Sequence, residues 1–143
     1  MNEISTLTVI AAPVAAALVM HLLMIMRIQA IVPGLNGAIR DRQSLMRVKE
    51  LINLSMKLAI FYIALYVLFI LALVALVTNG MPLFRAVGCL FWFGVITLPM
   101  GLIGKHFEKK IRGMSVESPD PDLGNTFQRW LAQWREARYQ LPE

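Results

Sequence analysis

The chain has 143 residues, a length for one domain, but 57% of them are apolar and the mean hydropathy is +0.61, which excludes an ordinary soluble domain. Its single cysteine, Cys89, excludes an internal disulfide framework or a multi-cysteine metal site. The net charge of +5 is informative through where it sits.

Three blocks lack Asp, Glu, Lys and Arg: Ile4 to Met26 (23 residues), Leu58 to Gly80 (23) and Ala86 to Gly104 (19). A helix needs about 20 such residues to cross a hydrocarbon core about 30 Å thick. The expected fold is therefore an all-α integral membrane protein with three transmembrane helices. The first block is entered through Met-Asn-Glu, with an acid in place of bases, and no small-residue cleavage pattern sits at its end. It is expected to remain as a span and not to be removed as a signal peptide.

After this first segment (1–27) comes a basic loop with an amphipathic helix (28–57). From Arg27 to Lys57, the bases Arg27, Arg40, Arg42, Arg47, Lys49 and Lys57 face only Asp41 and Glu50. Val32-Pro33-Gly34 reads as a helix stop, followed by a turn at Asn36-Gly37. From Gln43, the residues Leu45, Val48, Leu51, Ile52 and Ser55 recur at helical spacing. Nothing interrupts that pattern before the second block, so one helix is expected to leave the membrane and project a basic extension.

The second and third blocks form a transmembrane hairpin (58–104). Asn79-Gly80 tolerates positive φ, and Pro82 suits the first turn of the next helix. In the third block Gly94, Thr97, Gly101 and Gly104 fall on one face, a stripe suited to close helix packing in lipid, with Ala11/Ala15 and Ala12/Ala16 as counterparts in the first. Pro99 predicts a kink. Lys105, Lys109, Lys110 and Arg112 follow directly. By the positive-inside rule the N-terminus and the hairpin turn lie outside and the loop and tail inside, as in a bacterial inner-membrane protein.

The tail (105–143) includes Ser115 to Asn125, whose two prolines and three acids predict an extended linker. Thr126 is then expected to cap a short amphipathic helix over 127–140. It places Phe127, Trp130, Leu131 and Trp134 on one face, expected to dock on a partner, with the headgroup layer as the alternative. The basic residues Arg40, Arg42, Arg47, Lys49, Lys105, Lys109, Lys110 and Arg112 are candidates for anionic lipid headgroups.

No ionisable carboxylate or base lies at span depth, where pumps and proton relays place theirs, and no phosphate loop, nucleophile elbow or zinc-helix motif occurs. An enzyme is not expected, nor a bound cofactor or metal. His21 is a weak candidate ligand for haem or pigment, and otherwise bonds a neighbouring helix. Tyr62 and Tyr66 read as interfacial anchors, and Phe91, Trp92 and Phe93 as lipid or partner contacts. Met20, Met24 and Met26 read as adaptable packing. Nucleic-acid binding is unsupported.

The three-span layout resembles, in topology alone, the TolQ/ExbB class of bacterial proton-motor subunits, and no motif carries residues across. The pattern of the MAPEG membrane enzymes would fall on Lys49, Asn53 and Met56, departing at two of three positions. The expected function is a non-catalytic structural or assembly subunit of a larger membrane complex, with other subunits, a second copy and anionic lipids as partners. A homo-oligomeric channel or transporter is the alternative, and a haem or pigment subunit using His21 ranks below it.

Overall fold

The computed structural model describes residues 3–134 and 141. Four helices and a two-residue bridge occur in the order α1 (Glu3–Leu35), β1 (Ala38–Ile39), α2 (Arg42–Thr78), α3 (Leu83–Arg112), β2 (Ser115–Val116) and α4 (Pro121–Gln133). The first three helices are long and apolar enough to cross a membrane. At 33, 37 and 30 residues they run about 50, 55 and 45 Å, well beyond a hydrocarbon core of about 30 Å. The excess collects at the end that carries the basic residues.

Within the apolar stretches little is buried. Leu18, Leu22, Phe61, Ile63, Leu68, Leu71, Phe84, Phe91, Trp92 and Leu102 all stand exposed. Such a continuous apolar surface is what a bilayer covers and water does not tolerate. The helices touch through one small cluster of Ala17, Phe69, Leu73, Leu76, Ala86 and Phe93, where Phe93 stacks on Phe69 with ring centroids 4.4 Å apart. Phe93, expected with Phe91 and Trp92 as a lipid or partner contact, is instead buried in this cluster.

The larger core lies mostly beyond the apolar stretches, with Met24 and Leu58 as its members within them. It joins Val32 and Leu35 of α1, Ile39 of β1, and Leu45, Val48, Leu51, Ile52 and Met56 of α2. Phe107, Ile111 and Met114 from the end of α3, Leu123, Phe127, Trp130 and Leu131 of α4, and Leu141 complete it. α2 is continuous, as its spacing predicts, and its first turn is held by a capping box. The Ser44 backbone N–H donates to Asp41 Oδ1 at 2.6 Å, and the Asp41 N–H donates to Ser44 Oγ at 3.2 Å.

Two expected boundaries move. α1 does not stop at Val32-Pro33-Gly34 but continues to Leu35, eight residues past Arg27. Proline removes one donor from the ladder, yet Val32 and Leu35 are buried in the core, and their burial offsets that loss. The helix then ends on Asn36 and Gly37, with φ of 47° and 75°, the left-handed conformations that suit this pair. The expected linker is also shorter. Asp120 caps α4, its Oδ1 accepting from the Asp122 N–H at 3.0 Å, and Pro121 occupies the first helical turn. Thr126 therefore lies inside α4 and does not cap it.

The hairpin turn matches expectation, with Gly80 at φ 96° and α3 starting after Pro82. Pro99 lies within an uninterrupted α3. β1 and β2 pair in parallel, with Ser115 N–H donating to Gly37 O at 3.2 Å and Glu117 N–H to Ile39 O at 2.9 Å. That bridge ties the loop after α1 to the chain leaving α3.

Phe127 is fully buried, so Phe127→Ala is expected to cost about 3–5 kcal/mol and to lower the unfolding temperature of the solubilised protein, measurable by thermal scanning. Asp41 is held below the usual carboxylate value chiefly by the Ser44 backbone hydrogen bond. Because the folded value is depressed, this contribution is present above the unfolded value near 3.8 and is lost as pH falls through the folded one. Asp41→Asn should remove that pH dependence from the exchange rates of the first-turn amides of α2.

Candidate functional site

Between the small cluster around Phe69 and Phe93 and the larger core, α2 and α3 part. The gap is a groove of about 730 Å³, open on one side, with Ser55, Leu58, Ala59, Tyr62, Ile63 and Tyr66 along one wall. Gly94, Thr97, Leu98, Gly101, Gly104 and Lys105 contribute the facing wall, and Met24 of α1 also lines it. Gly101 and Gly104 border open space, since a Cβ added at either meets nothing within 4 Å. A Cβ at Gly94 would lie 3.7 Å from the Tyr66 hydroxyl, where the helices converge.

Polar atoms mark the inner end. The Tyr66 hydroxyl and Thr97 Oγ1 are 2.7 Å apart, and Thr97 Oγ1 also donates to the Gly94 carbonyl at 3.1 Å. If Thr97 directs its proton to Gly94, Tyr66 donates to Thr97 and all three groups are satisfied. Tyr66 also packs edge-on against Phe93, with centroids 4.9 Å apart. The two tyrosines read as interfacial anchors thus sit along the groove, with their hydroxyls engaged inside the bundle.

Tyr62 reaches α1. Its hydroxyl lies 3.0 Å from His21 Nδ1, which is also 2.8 Å from the carbonyl oxygen of Ala17. A lone pair on Nδ1 would repel that carbonyl at such a distance, so Nδ1 carries the proton and donates to Ala17. The Tyr62 oxygen then shares this donor, and Nε2 is left as a bare acceptor. His21 is buried, and no described group bonds its Nε2. His21 therefore bonds its own helix and a neighbour, while His106, the other histidine, is exposed. Among the described residues no group of three or more His, Cys, Asp or Glu is placed to hold a metal ion.

The other predicted residues divide. Ala11, Ala12, Ala15 and Ala16 are exposed, so within the chain they do not pack against the glycine face of α3, and Ala17 is the alanine that α1 buries. Phe127, Trp130 and Leu131 are buried and Trp134 is half-buried, all in the chain's own core. The aromatic face expected to dock on a partner is thus covered from within. The remainder of the expected helix, 135–140, lies outside the described residues.

Among the basic candidates, Arg42, Arg47, Lys105, Lys109 and Lys110 are exposed, and Arg40 pairs with Glu117 at 3.3 Å in solvent. Two are drawn inward. The Lys49 ammonium sits 5.0 Å over the Trp130 ring, a cation–π contact. Arg112 donates to Glu108 at 2.7 Å and to the Leu131 carbonyl at 3.4 Å, where its charge also suits the C-terminal end of α4. Sequence reasoning treated both as headgroup ligands, because the aromatic helix that recruits them was taken to point away.

No protein-family model, curated protein or solved structure matches this chain. A functional reading therefore rests on the residues themselves. Replacing Tyr66 by Phe and Thr97 by Val, singly and together, is expected to show a coupling of about 0.6 kcal/mol, the usual size for a hydrogen bond between membrane helices. Thermal unfolding of the four proteins in detergent measures it, and strict additivity would remove the bond from the account.

Proposed function

We propose that the chain is a multi-pass membrane protein serving as a non-catalytic assembly subunit of a larger membrane complex. The observation that carries this reading is the exposure of Ala11, Ala12, Ala15 and Ala16. Small side chains recurring every four residues let another helix approach α1 closely, and in lipid that approach gains packing that bulky residues forbid. Among the described residues these alanines are left exposed. Their smallness therefore serves a neighbour, either a different subunit or a second copy.

The apolar surface of α1 to α3 supports insertion, and the basic residues gathered at the α4 end support a cytoplasmic position for that end, with the N-terminus and the α2–α3 turn outside. In this arrangement the folded end forms a compact cytoplasmic cap. The membrane is taken to be a bacterial inner membrane. A haem role would have to use His21 Nε2, the atom left without a described partner once Nδ1 is engaged, and stays ranked below assembly because nothing else among the described residues favours it; a channel role gains no specific support.

A photo-crosslinking residue placed at 12 or 16 in cells is expected to yield one discrete protein adduct. The same residue at 71, where Leu71 is exposed on α2, should yield none. Equal diffuse labelling at all three positions would defeat the proposal.

A further inference from the structure

The groove between α2 and α3 has an extent, a chemistry and an opening that together select an occupant. Gly94 to Lys105 on α3 and Ser55 to Tyr66 on α2 each cover eleven steps, about 16 Å of helix. That matches one leaflet of a hydrocarbon core about 30 Å thick. A partner helix crossing the whole bilayer would need contact along twice this length. One acyl chain needs no more than this.

The ends of the groove differ in kind. Its inner end is closed where Tyr66 bonds Thr97 and packs on Phe93. Its outer end carries Ser55 and Lys105, with the exposed Lys109 one turn further along α3. The walls between are almost wholly apolar. In hydrocarbon such a space does not stay empty, because lining atoms without neighbours forfeit their dispersion contacts. A cation at headgroup level then favours an anionic headgroup over a zwitterionic one.

We propose that this groove holds one acyl chain of an anionic phospholipid, its phosphate against the Lys105 ammonium. The inference rests on the membrane insertion proposed above, but neither on which side the α4 end faces nor on a partner at the alanine rows. Gly101 and Gly104 acquire a purpose that packing within the chain does not give them. They keep the channel wide enough for a methylene chain.

The test uses the full chain in vesicles of phosphatidylcholine with a minor fraction of phosphatidylglycerol. Native mass spectrometry after gentle extraction reads the retained lipid, and carbonate extraction of the same vesicles reads insertion. The wild-type chain should retain phosphatidylglycerol in preference to phosphatidylcholine. Lys105→Gln should weaken that preference about fivefold, the effect of one basic residue near a membrane surface. Gly101→Leu should cut retention of either lipid roughly tenfold by overfilling the groove. Leucine is the better helix former, so folding is not put at risk. Gly88→Leu, which also enters open space but outside the groove, should leave retention unchanged.

Retention of the two lipids by the wild-type chain in the proportion they have in the vesicles, or undiminished retention in Gly101→Leu, would overturn the proposal while leaving insertion intact. Release of the chain by carbonate would instead overturn the membrane reading, and this inference with it.

Discussion

The seating of the aromatic face of α4 on the extension of α2 and the end of α3 is the contact on which the rest depends. Phe127 is wholly buried there, and Trp130 is held between the core and the Lys49 ammonium. Without it, Leu45, Val48, Ile52, Phe107 and Ile111 would face water at the end of three long helices. This outer core holds most of the buried apolar side chains among the described residues, and apolar burial is what drives association in water. Arg112 completes the seat, reaching from α3 to the Leu131 carbonyl in the last turn of α4.

With the helices gathered at that end and touching again around Phe69 and Phe93, the segment between is free to part. Small residues there do not collapse the gap, since the backbones of α2 and α3 are held at both ends. The groove is thus a consequence of two separate cores on one pair of helices. The same division explains the bare alanines of α1. Contact with α2 is made through Ala17, His21 and Met24, and the alanine rows on other faces are left outside.

Much of this was legible in the sequence. The three apolar blocks, the continuous α2 and the Asn79-Gly80 turn follow from charge-free length, helical spacing and turn chemistry. The stripe Gly94, Thr97, Gly101 and Gly104 was readable as a face, but not its setting, because spacing identifies a bare surface without saying what lies opposite. Asp120-Pro121 was read as linker although Asp followed by Pro is also a helix start, and local signals alone did not decide between them. The fate of the aromatic face depended on distance in space. A linker that looked extended suggested reach, whereas a parallel bridge of two residues, Ala38–Ile39 with Ser115–Val116, folds the tail back onto its own chain. Pairing so short leaves no pattern to read. Pro33 misled for a related reason, since tertiary burial of Val32 and Leu35 carries the helix through a residue that locally opposes it.

In this arrangement the α4 end forms one cooperative unit with the ends of the long helices. Amide hydrogen exchange of the chain in bilayer discs tests it most directly. Amides of α4 over 123–133 should exchange slowly and together with those over 45–56 and 107–112, through a shared opening. Exchange of α4 at the rate of a free peptide, with the other two segments still protected, would contradict it.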